Sequence, residues 1–320
     1  MKIVVLDGYT ENPGDLSWDG IRQFGELTTY DFTDQTDMRL TIERIGDAEA
    51  ILVNDVVITE EVMDACKSLR LIAVIATGYD NVDVEAAARH GIAVYNVPAY
   101  GTMPVAQHAM ALLLEICNNT AAHCAEVRAG NWAQCAQYQG WERPMIELDG
   151  KTLGIIGFGR IGQAFARMAS AMGMRVLAYS RTVREDAKQI AQYVDMNTLL
   201  AESDVISLHC PATPQTLEII DREAVEKMKD GVILLNVSRG RLLCEQAVAR
   251  ALASGKIMAC GLDVLSEEPP ENDHPLLHAK NCFVTPHIAW APLESRRRVL
   301  QITEENFRSY LSGLPKNRIV

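Results

Sequence analysis

The sequence predicts an α/β protein built from two doubly wound parallel sheets, one domain inserted in the other. Three observations carry this. Short apolar runs alternate with amphipathic stretches in two successive series, the signature of βαβ units. A Gly-x-Gly-x-x-Gly run, Gly157-Phe-Gly-Arg-Ile-Gly162, falls mid-chain between a strand-like and a helix-like segment. A last helix-like stretch follows the second series, where no place is left for it. A chain of 320 residues is also long for a single core and suits two domains.

In order, the first series holds strand-like residues 3–6, 50–53, 71–75 and 92–95. Residues 60–66 and 84–90 between them have helical spacing, with Thr59 as the expected N-cap of the former. Pro98-Ala-Tyr-Gly-Thr102 breaks the alternation and opens a long helix over 103–118. A polar, irregular segment with Trp132, Trp141 and Pro144 follows. The second strand series is 152–156, 175–179, 205–208, 232–237, 257–262 and 282–285, and a helix over 292–311 ends the chain. That helix is expected to return to the first domain. The prediction is a discontinuous substrate domain, 1–98 plus 291–320, and a Rossmann-like dinucleotide-binding domain, 99–290. Crossings near Pro98 and Trp290 would let the two lobes close over a cleft.

Composition narrows the function. Hydrophobic residues at 48% and charged residues at 22% are ordinary for a globular protein in water, so neither a disordered chain nor a membrane bundle is indicated. A formal net charge of −12 excludes a general binder of nucleic acid or anionic membrane, while leaving room for local basic groups that take a small anion. The eight cysteines are scattered, with no Cys-x-x-Cys pair. They read as reduced, mostly buried small hydrophobes of a cytoplasmic protein, neither a disulfide frame nor a metal site. Met1-Lys-Ile-Val-Val-Leu-Asp7 is too short an apolar run for a signal peptide and suits a buried first strand. The helix over 103–117 contains Gln107, His108 and Glu115, so it is no membrane span.

Each glycine of the central motif has a physical role. Gly157 permits the tight strand-to-helix turn, Gly159 lets backbone approach a pyrophosphate, and Gly162 lets helix pack close to strand. The helix start then offers unpaired N–H groups and partial positive charge to phosphate. A glycine-rich turn in some other α/β protein would share these letters; the flanking strand and helix favour dinucleotide binding. Ligands of open parallel sheets bind beyond the carboxyl ends of the strands. There the sequence places Ala76-Thr-Gly-Tyr-Asp80, His209-Cys-Pro211, Ser238-Arg-Gly-Arg241, Asp263 and Pro286-His-Ile-Ala-Trp290. One site is the economical explanation.

Three residues of that rim suit acid–base chemistry. His287 is the candidate general acid/base, since only imidazole titrates near neutrality unperturbed. Glu268, in Ser266-Glu-Glu-Pro-Pro270, can orient the imidazole and favour its protonated form. Arg239 offers a planar fork that matches a substrate carboxylate in two hydrogen bonds. Beside a nicotinamide they would support hydride transfer between cofactor and a 2-oxo or 2-hydroxy acid. The bland alternatives are a structural histidine, an arginine that caps a helix or grips phosphate, and a solvated Glu267-Glu268 turn.

Five separated motifs, in order along essentially the whole chain, then carry a resemblance. They are Thr77-Gly-Tyr-Asp-Asn-Val-Asp83, Gly157 to Gly162, Leu235-Asn-Val-Ser-Arg-Gly240, Gly261-Leu-Asp-Val264 with Glu268-Pro269, and Thr285-Pro-His-Ile-Ala-Trp290. The chain resembles the D-isomer-specific 2-hydroxyacid dehydrogenases. Its opening Leu6-Asp-Gly-Tyr-Thr10 and Asn12-Pro-Gly-Asp-Leu-Ser-Trp18 look most like the glycerate dehydrogenase/hydroxypyruvate reductase branch. The resemblance implies Arg239 on the substrate carboxylate with help from Gly78 and Tyr79, Glu268 as support, and His287 as the acid/base against the substrate. On the cofactor side it implies Thr102, the motif residues Gly157, Gly159, Arg160, Ile161 and Gly162, and Ser180 with Arg181. It adds Cys210, Pro211, Thr216, Val237, Ser238, Arg239, Asp263, His287 and Ala289, with Asp263 on the nicotinamide amide. A homodimer through the nucleotide-binding domain is implied too, giving the arm 120–144 a role.

The chain also departs from that branch. After Leu52-Val-Asn54, where relatives often carry a lysine, stands Asp55-Val56-Val57. A carboxylate facing the cleft would repel an anionic substrate, which counts against glycerate or hydroxypyruvate. Pro104, where relatives often have serine, is tolerated in the first turn of a helix. Residues 53–57, 76–79, Tyr100, 132–141 and Trp290 are expected to shape the pocket, some of them from a partner subunit.

The acid that reads the cofactor ribose belongs at the tip of the second strand, about 20 residues beyond the glycine motif. Here Ser180-Arg-Thr-Val-Arg184 follows that strand, with no Asp or Glu at its tip. Ser180 removes the repulsion of a 2′-phosphate, and Arg181, with Arg184, can pair with it. NADP(H) is favoured, and NAD(H) stays possible if both arginines are merely solvated. Two other functions compete. A dinucleotide-sensing, non-catalytic protein on the same scaffold would be expected to carry long partner-binding tails, whereas this chain starts at its first strand and ends just after its last helix. A formate dehydrogenase would have glutamine where Glu268 stands. The favoured reading is a cytoplasmic NAD(P)-dependent reductase of a small 2-oxo acid, of hydroxypyruvate or glyoxylate type or another 2-keto acid.

Overall fold

The computed structural model describes residues 1–135 and 144–320, and the apolar runs of both series become parallel strands. One unit comprises Met1–Tyr100 with Ala291–Val320. Its elements are β1 (Lys2–Val5), α1 (Asp19–Arg22), β2 (Glu26–Thr29), α2 (Met38–Ile45), β3 (Ala50–Val53), α3 (Glu60–Ala65), β4 (Leu71–Val74), α4 (Val84–Arg89) and β5 (Ala93–Tyr95). The strands run in the order β2-β1-β3-β4-β5, all parallel. Every residue of β3 and β4 is buried, as expected for central strands covered on both faces.

Sequence patterning misses β2 because it is a largely exposed edge strand with one aliphatic residue, Leu27. It also misses α1 and α2, although Asp37 caps α2 by accepting from Leu40 N at 3.0 Å. Asp83 caps α4 in the same way. Thr59 does stand at the N-cap of α3, but its hydroxyl makes no capping hydrogen bond.

The helix Leu293–Ser312 closes this unit. Phe307 is fully buried and stacks on Phe24 with ring centroids 5.3 Å apart. Arg296 forms a two-pronged pair with Asp15, both contacts at 2.7 Å, and donates to the Glu11 carbonyl at 3.0 Å. Asn306 Nδ2 donates to Asn96 O at 2.8 Å. Beyond the helix, Ile319 N donates to Val94 O at 2.7 Å, so the C-terminal residues cover the open edge of β5.

The other unit, Gly101–Trp290, holds α5 (Thr102–Asn118), α6 (Thr120–Arg128), α7 (Asn131–Gln134), β6 (Thr152–Ile156), α8 (Arg160–Ala171), β7 (Arg175–Tyr179) and β8 (Gln192–Tyr193). It continues through α9 (Met196–Glu202), β9 (Val205–Leu208), α10 (Arg222–Lys227), β10 (Val232–Asn236), α11 (Glu245–Ser254), β11 (Ile257–Leu262) and β12 (Cys282–Val284). Strand order is β12-β11-β10-β9-β6-β7-β8, all parallel. Leu112 and Leu113 of α5 join Phe165 of α8 in the core on one face, while Leu199, Val225 and Val248 of α9, α10 and α11 fill the other. Helices on both faces of a parallel sheet make this unit doubly wound, like the first.

The segment expected to be irregular after α5 is helical in part, as α6 and α7, yet neither helix has a buried residue. That changes the cysteine reading as well. Cys66, Cys117 and Cys260 are buried, but Cys124 and Cys135 of this segment are exposed. Among the described residues, no helix is long and apolar enough to cross a membrane.

One buried group makes a testable demand on stability. Glu11 is fully buried and neither carboxyl oxygen has a hydrogen-bond partner. Burial pushes its pKa well above 4.5, the charges of Asp7 and Asp55 add to that, and Arg296 opposes it. The unfolded chain ionises this group first, so folded stability falls as pH rises above 4.5 until the raised folded pKa is passed. Glu11→Gln removes this dependence. Its melting temperature should gain on wild type as pH rises above 4.5. A difference that stays constant over that range would contradict the assignment.

Candidate active site

The strand order of the second unit reverses between β6 and β9, and the glycine motif sits at that reversal. Gly157 has φ +96°, and a Cβ there would lie 2.5 Å from both Cys210 N and His209 C. A Cβ on Gly162 would lie 2.5 Å from Gly157 O. These two glycines are therefore demanded by the protein's own backbone. Gly159 differs: its Cβ would meet nothing within 4 Å. It is also the N-cap of α8, with no side-chain cap and no acidic residue in the first turn. Open space before uncapped N–H groups fits a dinucleotide pyrophosphate.

Turns from neighbouring strands meet there. Thr216 Oγ1 donates to Pro211 O at 2.7 Å and closes the turn after β9. Ser238 Oγ donates to Leu208 O at 2.9 Å, tying the turn after β10 to β9. Val237 and Ala289 are buried, Ile161 is half-buried, Arg160 is exposed, and Thr102 opens α5. At the tip of β7, Ser180 is half-buried and Arg181 exposed, whereas Arg184 is paired with Asp186 at 3.4 Å. His209 hydrogen-bonds Ser207 Oγ through Nε2 at 2.9 Å, and its ring lies 5.4 Å from that of Phe165. Burial pushes its pKa down to about 3, so this is a neutral structural imidazole.

The acid–base candidates converge in the same unit. His287 Nδ1 and Glu268 Oε2 are 2.7 Å apart, and Glu268 Oε1 accepts from Leu265 N at 2.9 Å. Burial alone would lower the His287 pKa, but the hydrogen bond and charge of Glu268, with Asp263 behind, raise it above 6.5 against the opposing charge of Arg239. For Glu268, burial acts upward, yet its bond to His287 and the nearby positive charges hold it below 4.5. The result is an imidazole poised to carry a proton near neutral pH.

Asp263 holds the backbone on which His287 stands. Its buried carboxylate accepts from Thr285 Oγ1 at 2.6 Å, Ile288 N at 2.9 Å and Ala289 N at 2.8 Å. His287 has a left-handed φ of +52°. That conformation costs a non-glycine residue about 1–2 kcal/mol, less than hydrogen bonds to a charged group return at about 1.5–3 kcal/mol each. His108 on α5 joins the cluster, with Nε2 2.9 Å from Thr285 Oγ1 and 3.5 Å from Asp263 Oδ1. Sequence reading passed over His108 as a site residue because nothing in helical spacing says what a polar residue meets.

Arg239 is exposed, and its Nη1 donates to Ser238 O at 2.8 Å. Buried Asn236 shapes this turn, donating to Arg239 O and accepting from Ser238 N. Gly240 is needed here too: a Cβ on it would lie 1.8 Å from Leu265 C. The Arg239 turn thus rests directly on the peptide that leads to Glu268.

In the first unit, Gly78 and Tyr79 lie in the turn after β4. Thr77 Oγ1 donates to Val97 O and Asn96 Nδ2 to Thr77 O, both at 2.8 Å. Asp55 is exposed after β3; its N–H donates to Asp7 Oδ2 at 2.7 Å and its Oδ2 accepts from Asn54 Nδ2 at 2.9 Å. Tyr100 is buried and Trp132 exposed. Trp141 lies outside the described residues.

The model of the D-isomer specific 2-hydroxyacid dehydrogenase NAD binding domain matches residues 110–289. Over 318 residues the chain is 51% identical to the hydroxypyruvate reductase of Blautia hydrogenotrophica, covering 99% of each. Among solved structures, the TT0316 protein of Thermus thermophilus superposes with a TM-score of 0.89 at 33% identity, covering 100% of both chains. An acyclic imino acid reductase in complex with NADPH and D-Arg gives 0.86 at 30% identity, again covering 100% of both. Likeness to enzymes along the whole chain carries the enzyme reading over the non-catalytic sensor. Strand order, motif order and these likenesses lead to one conclusion: the chain belongs to the D-isomer-specific 2-hydroxyacid dehydrogenase family and is a nicotinamide-dinucleotide-dependent 2-hydroxyacid oxidoreductase.

Proposed function

We propose that the chain reduces a small 2-oxo acid of hydroxypyruvate or glyoxylate type to its D-2-hydroxy acid, with His287 as the proton donor. The observation that carries this is the 2.7 Å contact between His287 Nδ1 and Glu268. With Nδ1 engaged, Nε2 is the atom that can hold a transferable proton. A bound nicotinamide supplies the hydride. Arg239 binds the substrate carboxylate through its planar guanidinium. Glu268 keeps the imidazole in one tautomer and favours its charged form. As the substrate oxygen gains electron density, His287 passes it the Nε2 proton. Asp263, besides bracing the 285–289 turn, offers remaining acceptor capacity to the nicotinamide amide.

The name of the Blautia hydrogenotrophica relative supports hydroxypyruvate. The Asp55 carboxylate, in turn, has its Oδ2 engaged by the neighbouring Asn54 amide. A panel of small 2-oxo acids with both reduced cofactors tests the reading. Reduction should fall as pH rises through the His287 pKa, which lies above 6.5. Glu268→Gln should move that fall to lower pH, and His287→Asn should lower kcat about 100-fold or more. Cofactor oxidation that persists in His287→Asn would sink the assignment.

On the cofactor, we favour NADP(H). Ser180 leaves no carboxylate at the β7 tip to repel a 2′-phosphate, and the imino acid reductase with the same fold was solved with NADPH. Arg184 is already paired with Asp186, so Arg181 is the main phosphate partner. Arg181→Ala should lower the NADPH-to-NADH ratio of kcat/KM by about tenfold, the loss of one charge-assisted bond. An unchanged ratio argues for a dual-cofactor enzyme.

We further propose a cytoplasmic homodimer formed through the nucleotide-binding unit. Free cysteines throughout suit a reducing compartment. Without any buried residue of their own, α6 and α7 expose Val127 and Trp132, with Met145 exposed further on. A second subunit would cover them. Sedimentation should give a dimer, and Trp132→Glu should shift it toward monomer; a monomeric wild type rules this out.

A further inference from the structure

Glu245 is the first residue of α11 and contributes to no step described above. Its side chain is 12% exposed, and both its oxygens are engaged. Oε1 accepts from Ser266 N at 2.8 Å, and Oε2 accepts from Ser266 Oγ and lies 3.0 Å from His274 Nε2. His274 Nδ1 accepts from Leu276 N at 3.3 Å, which leaves the proton on Nε2, facing Glu245. A carboxylate held by an imidazole N–H and taking both donors of one serine is a rigid anchor.

What it anchors is the peptide ahead of Glu268. Leu265 and Ser266 start the turn in which Leu265 N donates back to Glu268 Oε1 at 2.9 Å. On the other side Gly240 abuts the same peptide, since its Cβ would lie 2.0 Å from Leu265 O and 2.2 Å from Ser266 N. The Leu265–Ser266 peptide is thereby fixed from two directions, by the turn that bears Arg239 and by the Glu245 carboxylate. Glu268 completes the chain of contacts: one carboxylate oxygen accepts from the adjoining Leu265 N–H and the other meets His287 Nδ1.

We propose that Glu245, locked by His274, is a positioning residue for the reaction: it pins Ser266 and so holds the Glu268 carboxylate on His287 Nδ1. The proposal rests on the reading of His287 as proton donor. Without the anchor the Leu265–Glu268 turn relaxes, and His287 keeps Asp263 and Arg239 as charged neighbours but loses its held carboxylate.

The test is a double-mutant cycle on the full-length enzyme loaded with reduced cofactor. Glu245→Gln puts an amide donor where only acceptors fit, against Ser266 N–H or His274 Nε2–H. Alone it should lower kcat for 2-oxo acid reduction about tenfold, as misplacement of a group by a fraction of an ångström does. The KM for cofactor should change little, and the fall of kcat with pH should move to lower pH. In a Glu268→Gln background the same substitution should add almost nothing, because the carboxylate it holds is gone. Equal losses in both backgrounds, or an unmoved pH profile, would overturn the proposal and mark Glu245 as merely structural. Ser266→Ala, which removes only the exposed hydroxyl link, should move the profile in the same direction by a smaller amount and covers the case of a Glu245 variant that does not fold. Activity that survives His287→Asn overturns the proton-donor reading, and this proposal with it; His287-dependent activity with an additive Glu245 overturns this proposal alone.

Discussion

A single buried carboxylate organises the business end of the second sheet. Asp263, at the end of β11, is 1% exposed, and an unpaired charge so placed would cost several kcal/mol. Donors from the chain after β12 satisfy it: the Thr285 hydroxyl and the N–H groups of Ile288 and Ala289. Two neighbouring strand ends are thus stitched together, and the residue between the stitches, His287, is held in a left-handed conformation it would not otherwise keep. The direction of the imidazole follows from that constraint.

Electrostatics then acts on a group already placed. Glu268 and His287 each make the other's charged form more favourable, and each overcomes a burial effect of opposite sign. Arg239 opposes protonation of the histidine while helping to keep the glutamate ionised. Three charged groups thus share one site: an exposed guanidinium, an imidazole whose protonated form is favoured, and a carboxylate between them that offsets the repulsion of the two cations.

Much of this was legible in sequence for definable reasons. Central strands such as Ala50–Val53 and Val232–Asn236 are buried on both faces and read as unbroken apolar runs. The roles of Gly157 and Gly162 follow from covalent geometry, and the structure puts backbone where a Cβ would go. Two edge strands were not legible: Glu26–Thr29 and Gln192–Tyr193 bury little and carry no apolar pattern. Nor were α6 and α7, which lack a buried face. At the site, Arg239, Glu268 and His287 stood out because their chemistry is scarce and their motifs compact. Glu245, Ser266, His274 and His108 did not, since their importance lies in contacts between residues far apart in sequence.

The return of the C-terminal helix has a consequence for how the molecule is made. Phe24 stacks on Phe307, Asp15 pairs with Arg296, and β5 receives its edge partner from Ile319 and Val320. Residues 1–100 therefore wait for residues 291–320. The inserted unit has its whole sequence outside the ribosome before its discontinuous neighbour can be completed, so it is free to fold first, domains generally folding as units.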